Sequence, residues 1–95
     1  MIIQLFEHTG SFAENKDIAR DLRREQITPI LERGDDITLD FSGITSTTQS
    51  FIHALISELF RIYGNEVIDK ISFKGCNDTV KKIISIVVDY MQQSS

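Results

Sequence analysis

Hydrophobic residues recur along this chain with two alternating periods. The stretch from Ile2 to Glu7, rich in Ile, Leu and Phe and ended by Thr9-Gly10, predicts a strand. After Asn15 or Asp17, either of which can open a helix, Ile18, Ala19 and Leu22 form an apolar stripe with Arg20, Arg23 and Arg24 on the wet side. Pro29 lacks an N–H and crowds the preceding turn, so it is expected to bend or break that helix after Ile27-Thr28. A further turn at Ile30–Arg33 then ends at Gly34. Apolar and polar residues alternate strictly in Ile37-Thr38-Leu39-Asp40-Phe41, the clearest strand of the chain. Gly43 and the hydroxyl-rich run from Thr45 to Ser50 connect it to a helix from Phe51 to Tyr63. There Ile52, Leu55, Ile56, Leu59 and Tyr63 share one face, and Phe51, Phe60 and Ile62 widen it, leaving Ser57, Glu58 and Arg61 polar. So broad an apolar stripe marks either the central buried helix or one that partly meets a partner, and elements flanking it on both sides in the chain favour central burial. Gly64 suits its C-terminal stop. Val67 to Lys74 predicts a third strand and Gly75-Cys76-Asn77 a turn. Asn77 or Asp78 caps a last helix, whose stripe is Val80, Ile83, Ile84, Val87, Val88 and Met91. Residues 92–95 read as a frayed tail.

Strand–helix alternation with short links implies an α/β fold in βαβαβα order, with a small, mainly parallel sheet of about three or four strands. A sheet covered on both sides would show a continuous apolar run in its middle strand. Thr38, Asp40 and Ser42 instead give that strand a polar alternate face, so the helices are expected mostly on one face of the sheet. No linker or repeat divides the chain, and residues 1–95 read as a single domain.

Composition narrows the chemistry. At 95 residues, most apolar side chains are needed for one core, which leaves little room for a deep substrate cavity and favours a domain that is not an enzyme. Ten Lys+Arg against fourteen Asp+Glu give a net charge of -4, which argues against nucleic acid as a partner. One cysteine permits no intrachain disulfide. No apolar run approaches the ~20 residues that cross a bilayer, and no basic leader precedes Met-Ile-Ile. These features predict a cytoplasmic protein that does not engage a membrane. His8, His53 and Cys76 lie far apart and the glycines stand singly, so neither a metal site nor a phosphate loop is expected, and no cofactor. Ser50 and His53 are three apart, with Asp40 available as a third group, but the Gly-x-Ser-x-Gly turn of a nucleophile elbow is missing. Arg20, Arg23 and Arg24, interleaved with Asp17, Asp21 and Glu25, read as a solvated helix face.

Residues 37–60 read ITLDFSGITSTTQSFIHALISELF. An alternating strand ends in Leu-Asp-Phe-Ser-Gly-Ile, a hydroxyl-rich turn follows, and Ser-Phe stands at the mouth of an apolar helix. This segment resembles the signature region of STAS domains, the fold of bacterial anti-sigma factor antagonists. It more closely resembles a STAS-like family of unknown function in which Ser-Phe opens the helix. The order of elements extends the resemblance over nearly the whole chain. Asp40, Phe41 and Ser42 match the antagonists' strand end, and Ser50 falls on their phosphorylated serine. Thr48, Gln49 and Phe51 stand where those proteins have Asp, Ser and Gly.

The resemblance implies a regulatory module that recognises another protein, of the ATP-binding, histidine-kinase-like or anti-sigma type. The expected contact surface is Thr45, Ser46, Thr47, Thr48, Gln49 and Ser50 with the start of the following helix. It also implies Ser50 as a phosphoacceptor. A helix N-terminus has unpaired N–H groups and a favourable dipole for a phosphate. The alternative for these hydroxyls is that Thr47, Thr48 or Ser50 caps the helix. A third reading makes the domain a subunit of a homo-oligomer or of a larger enzyme complex, using its polar sheet face or an exposed apolar stripe.

Overall fold

The computed structural model describes residues 1–93. Three parallel strands form the main sheet: β1 (Ile2–Gln4), β3 (Ile37–Asp40) and β5 (Ile71–Lys74), in the order β1-β3-β5. Strands neighbouring in space are also successive units in the chain, so both crossovers of a right-handed βαβ repeat fall on one side. Register makes the two faces explicit. Ile3, Leu39 and Phe73 lie opposite one another, as do Ile37 and Ile71, and these residues turn toward the core. The rows Ile2–Thr38–Ser72 and Gln4–Asp40–Lys74 occupy the other face. Ile2, Gln4, Ser72 and Lys74 are exposed there. The α/β class, the parallel sheet and the polar outer face agree with the alternation read in residues 37–42.

A second sheet was not anticipated. β2 (Phe12–Ala13) pairs in parallel with β4 (Ser46–Thr47). The hydroxyl-rich run expected to be a simple connection is therefore partly a strand. Two-residue strands carry no period that a sequence pattern could reveal. The first predicted strand is also too long: it stops at Gln4, and Phe6–Thr9 (α1) forms a single helical turn. Likewise Val67 is not in a strand, because Asn65–Asp69 winds as a 3-10 turn that buries Val67 before β5 begins.

The helices follow their predicted stripes, except that Ile62, expected to widen the central one, is 60% exposed. α2 (Lys16–Leu22) is capped by Asn15, whose side-chain oxygen accepts from the N–H groups of Asp17 and Ile18. Pro29 does not break the helix. The chain widens into a π turn at Arg23–Ile27, closed by Thr28 N–H donating to Arg23 O, and continues as α3 (Thr28–Glu32). A wider turn gives room to the proline ring, whose crowding of the preceding turn would otherwise stop the helix. α4 (Gln49–Tyr63) begins two residues earlier than its apolar stripe and ends at Gly64, whose φ of 75° suits a residue without Cβ. α5 (Asp78–Gln93) is capped by Asn77, with Val80 N–H donating to Oδ1 at 2.8 Å. Gln92 and Gln93 thus belong to this helix rather than to a frayed tail; Ser94 and Ser95 lie outside the described residues.

One hydrophobic core joins the main sheet, β2 and the helical segments from α2 to α5. α4 packs against α2 on one side and α5 on the other and buries Phe51, Ile52, Leu55, Ile56, Leu59 and Phe60. Its Ser57, expected on the wet side, is buried as well. Arg23, expected on a solvated face, reaches across from the π turn, and its guanidinium donates to Ala54 O at 2.7 Å. No helix among the described residues is long and apolar enough to cross a membrane.

Candidate functional site at the start of helix α4

The segment from Thr45 to Thr48 is anchored residue by residue. Thr45 N–H and Oγ1 both donate to Ser11 O, at 2.8 and 3.1 Å. The carbonyl of Thr45 accepts from Asn77 Nδ2 at 2.9 Å, which ties this segment to the start of α5. Thr47 is buried, and its hydroxyl donates to Ala13 O at 2.7 Å. Ser46 pairs with Phe12 in the small sheet. Thr48 is the N-cap: its Oγ1 accepts from Phe51 N–H at 3.1 Å while its own N–H donates to Ala13 O. The three capping candidates thereby separate. Thr48 caps, Thr47 holds the small sheet, and Ser50 does neither.

Ser50 is exposed in the first turn of α4, and its hydroxyl takes part in no hydrogen bond among the described residues. Phe51 beside it is fully buried, which fixes the orientation of that turn. Gln49, Ser50, His53 and Ala54 form one wall of a groove of 530 Å³. Ile86, Val87 and Tyr90 of α5 form the opposite wall, and Lys16 from the start of α2 also lines the groove. Ser50 and His53 are therefore brought onto one groove, as their spacing implied, and Lys16 lines it with them. Ile86 and Tyr90 are 41% and 62% exposed, large apolar surfaces for a wet helix face. Their signal lay in the sequence: they are four apart on α5, outside its core stripe, where polar residues would be expected. Lys16 could not have been found, since only the fold brings α2 beside α4.

Asp40 does not serve Ser50 and His53 as a third group. Its Oδ1 accepts from Ser42 N–H at 2.9 Å, closing a turn at the end of β3. Hydrogen bonds from the Ser42 hydroxyl and then its amide hold the carboxyl below its ordinary pKa, with a smaller contribution from Lys74. Gly75 passes so close to this turn that an added Cβ would lie 2.8 Å from both Asp40 Oδ1 and Ser42 N and would collide with the Ser42 hydroxyl. Its φ of 69° also disfavours any side chain. The Asp-Phe-Ser strand end thus has a structural use, as the seat on which the 75–77 turn rests. Cys76 is half-buried beside it, and burial raises its thiol pKa. No group of three or more potential ligands for a metal ion occurs among the described residues.

A family model described as a STAS-like domain of unknown function matches residues 19–81, which include the β3 strand end, the Thr45–Ser50 segment and all of α4. No curated protein and no solved structure matches the chain.

Proposed function

This chain belongs to the family of STAS-like domains of unknown function, and on that premise we propose that it is a regulatory recognition module with no chemistry of its own. It docks a protein partner through the Thr45–Ser50 segment and the groove beside α4. The observation that carries this reading is the contrast within the segment. Thr45, Thr47 and Thr48 are bonded to the scaffold, whereas Gln49 and Ser50 are exposed on one wall of a groove whose α5 wall is apolar. A rigid polar turn beside exposed apolar side chains is what a protein interface uses. By resemblance, the partner is an ATP-binding protein of the histidine-kinase-like or anti-sigma type, met in the cytoplasm. Calorimetry with a purified ATP-binding protein encoded beside this chain tests the proposal. Binding should be lost with Ser50→Arg and with Tyr90→Ala, and kept with Arg33→Glu on a remote surface. Equal binding by all variants would remove this docking surface.

A second reading has its own support. Because Thr48 takes the cap, the Ser50 hydroxyl is left unused, exposed and near a lysine at the N-terminus of a long helix. Phosphorylation there would add about −1.5 to −2 charges to the docking rim and switch it. Intact mass after incubation with ATP and the cognate kinase decides this. A gain of one phosphate that vanishes in Ser50→Ala supports it, and no gain on the unsubstituted chain dismisses it.

A further inference from the structure

β5 is an edge strand, and its outward backbone is unpaired among the described residues. Ile37 N–H donates to Lys70 O at 2.9 Å and Phe41 N–H to Lys74 O at 2.7 Å, so the even-numbered residues of this segment turn their peptide groups toward β3. The N–H and C=O groups of Ile71 and Phe73 point the other way and meet no partner among the described residues. Directly beside this edge, between β5 and α5, lies a groove of 570 Å³. Phe73, Cys76 and Ile84 give it an apolar lining, and Lys74 and Lys81 stand on it. Neither lysine is in a salt bridge among the described residues, although the chain as a whole is acidic.

We propose that this edge and groove form a β-augmentation site for an extended segment of a protein partner in which apolar and acidic residues alternate. A strand added to β5 must share its pleat. On the core side, its side chains meet Phe73 and Ile84 and are therefore apolar. On the outer side they meet the row that carries Ser72 and Lys74, so carboxylates match there, and Lys81, on the α5 wall of the groove, adds a second cation beside the site. Asp40, on the same outer row, keeps its negative charge but lies on β3, one strand further from the incoming chain than Lys74, which stands opposite it in the register. A second copy of this chain fits poorly, since β5 against β5 would oppose lysines, and edge lysines are a common guard against self-pairing. This site is separate from the α4 groove and stands or falls independently of it.

The test is a titration of the nitrogen-15-labelled chain with a short, end-capped peptide of alternating valine and glutamate. Saturable amide shifts are expected across residues 71–76, with exchange of the Ile71 and Phe73 amides slowed by about tenfold at saturation. The double variant Lys74→Gln, Lys81→Gln should weaken binding by about fivefold, the effect of two surface charge pairs. A peptide N-methylated on alternate residues keeps the side chains but cannot pair, and should not bind. Absence of saturable shifts, shifts centred on α4, or equal binding of a valine–lysine peptide would overturn the proposal. So would protection of Ile71 and Phe73 that rises with protein concentration in the absence of peptide, which would assign the edge to a second copy.

Discussion

Thr48 and Ser50 are two hydroxyl residues at the start of one helix, yet only the first contributes to folding. Thr48 Oγ1 satisfies the Phe51 amide, one of the donors a helix N-terminus leaves unpaired. Thr48→Ala should therefore cost about 1 kcal/mol of stability, while Ser50→Ala should stay within about 0.5 kcal/mol of the parent. Urea denaturation of the two variants checks the order, and a reversed order would mean that Ser50 is the structural hydroxyl. Asp40 gives a prediction in pH. The folded chain holds its carboxyl below the ordinary value of 3.8, chiefly through Ser42. Such a group favours the folded state at every pH above its unfolded pKa, and the contribution is lost as pH falls through the lower folded value. Asp40→Asn should accordingly be less stable than the parent at neutral pH, and the gap should narrow below about 3.8. Denaturant midpoints measured at neutral and acid pH give this comparison, and a gap that is constant or widens in acid would contradict it.

Among elements, those with long periods could be read from the sequence and those held by single long-range bonds could not. α4 and α5 declare themselves by stripes several turns long, and β3 by its alternation. β2 and β4 exist because Thr47 reaches Ala13 across the fold, a bond between residues 34 apart that no local pattern encodes. Val67 and Ile68 are β-branched and flank a true strand, which is why the 3-10 turn reads as its beginning. At the candidate site the same division holds: Ser50 and His53 are visible from spacing, whereas Lys16 is visible only once α2 lies on α4. Arg23 locks those two helices together. Its bond to Ala54 O is charge-assisted, half-buried and 2.7 Å long. Arg23→Met keeps much of the aliphatic packing and removes the donor, so a loss of about 1–2 kcal/mol is expected, seen as an earlier urea midpoint. Arg24→Met, on the exposed neighbour, should change little, and an equal loss at both positions would assign the effect to surface charge instead.

At the scale of the whole molecule, the proposed recognition surface and the fold share a residue boundary between Ser50 and Phe51. Ser50 looks outward and Phe51 is completely enclosed in the core that unites the main sheet with α2, α4 and α5. A domain of this size has a folding free energy of about 5–15 kcal/mol. Removing a buried phenyl ring costs about 3–5 kcal/mol in lost burial and cavity formation. Phe51→Ala should therefore bring the molecule close to its folding limit, with a depressed thermal midpoint and loss of partner binding and of Val-Glu peptide binding together. Ser50→Arg acts on the other side of that boundary. It should abolish partner docking at α4 while leaving the thermal midpoint and the β5 edge unchanged. Thermal unfolding and both binding assays on the same two variants separate the effects. If Ser50→Arg also weakened the peptide, the two surfaces would be coupled, and the Asn77 side chain, bonded to Thr45 on one side and capping α5 on the other, would be the connection to cut next.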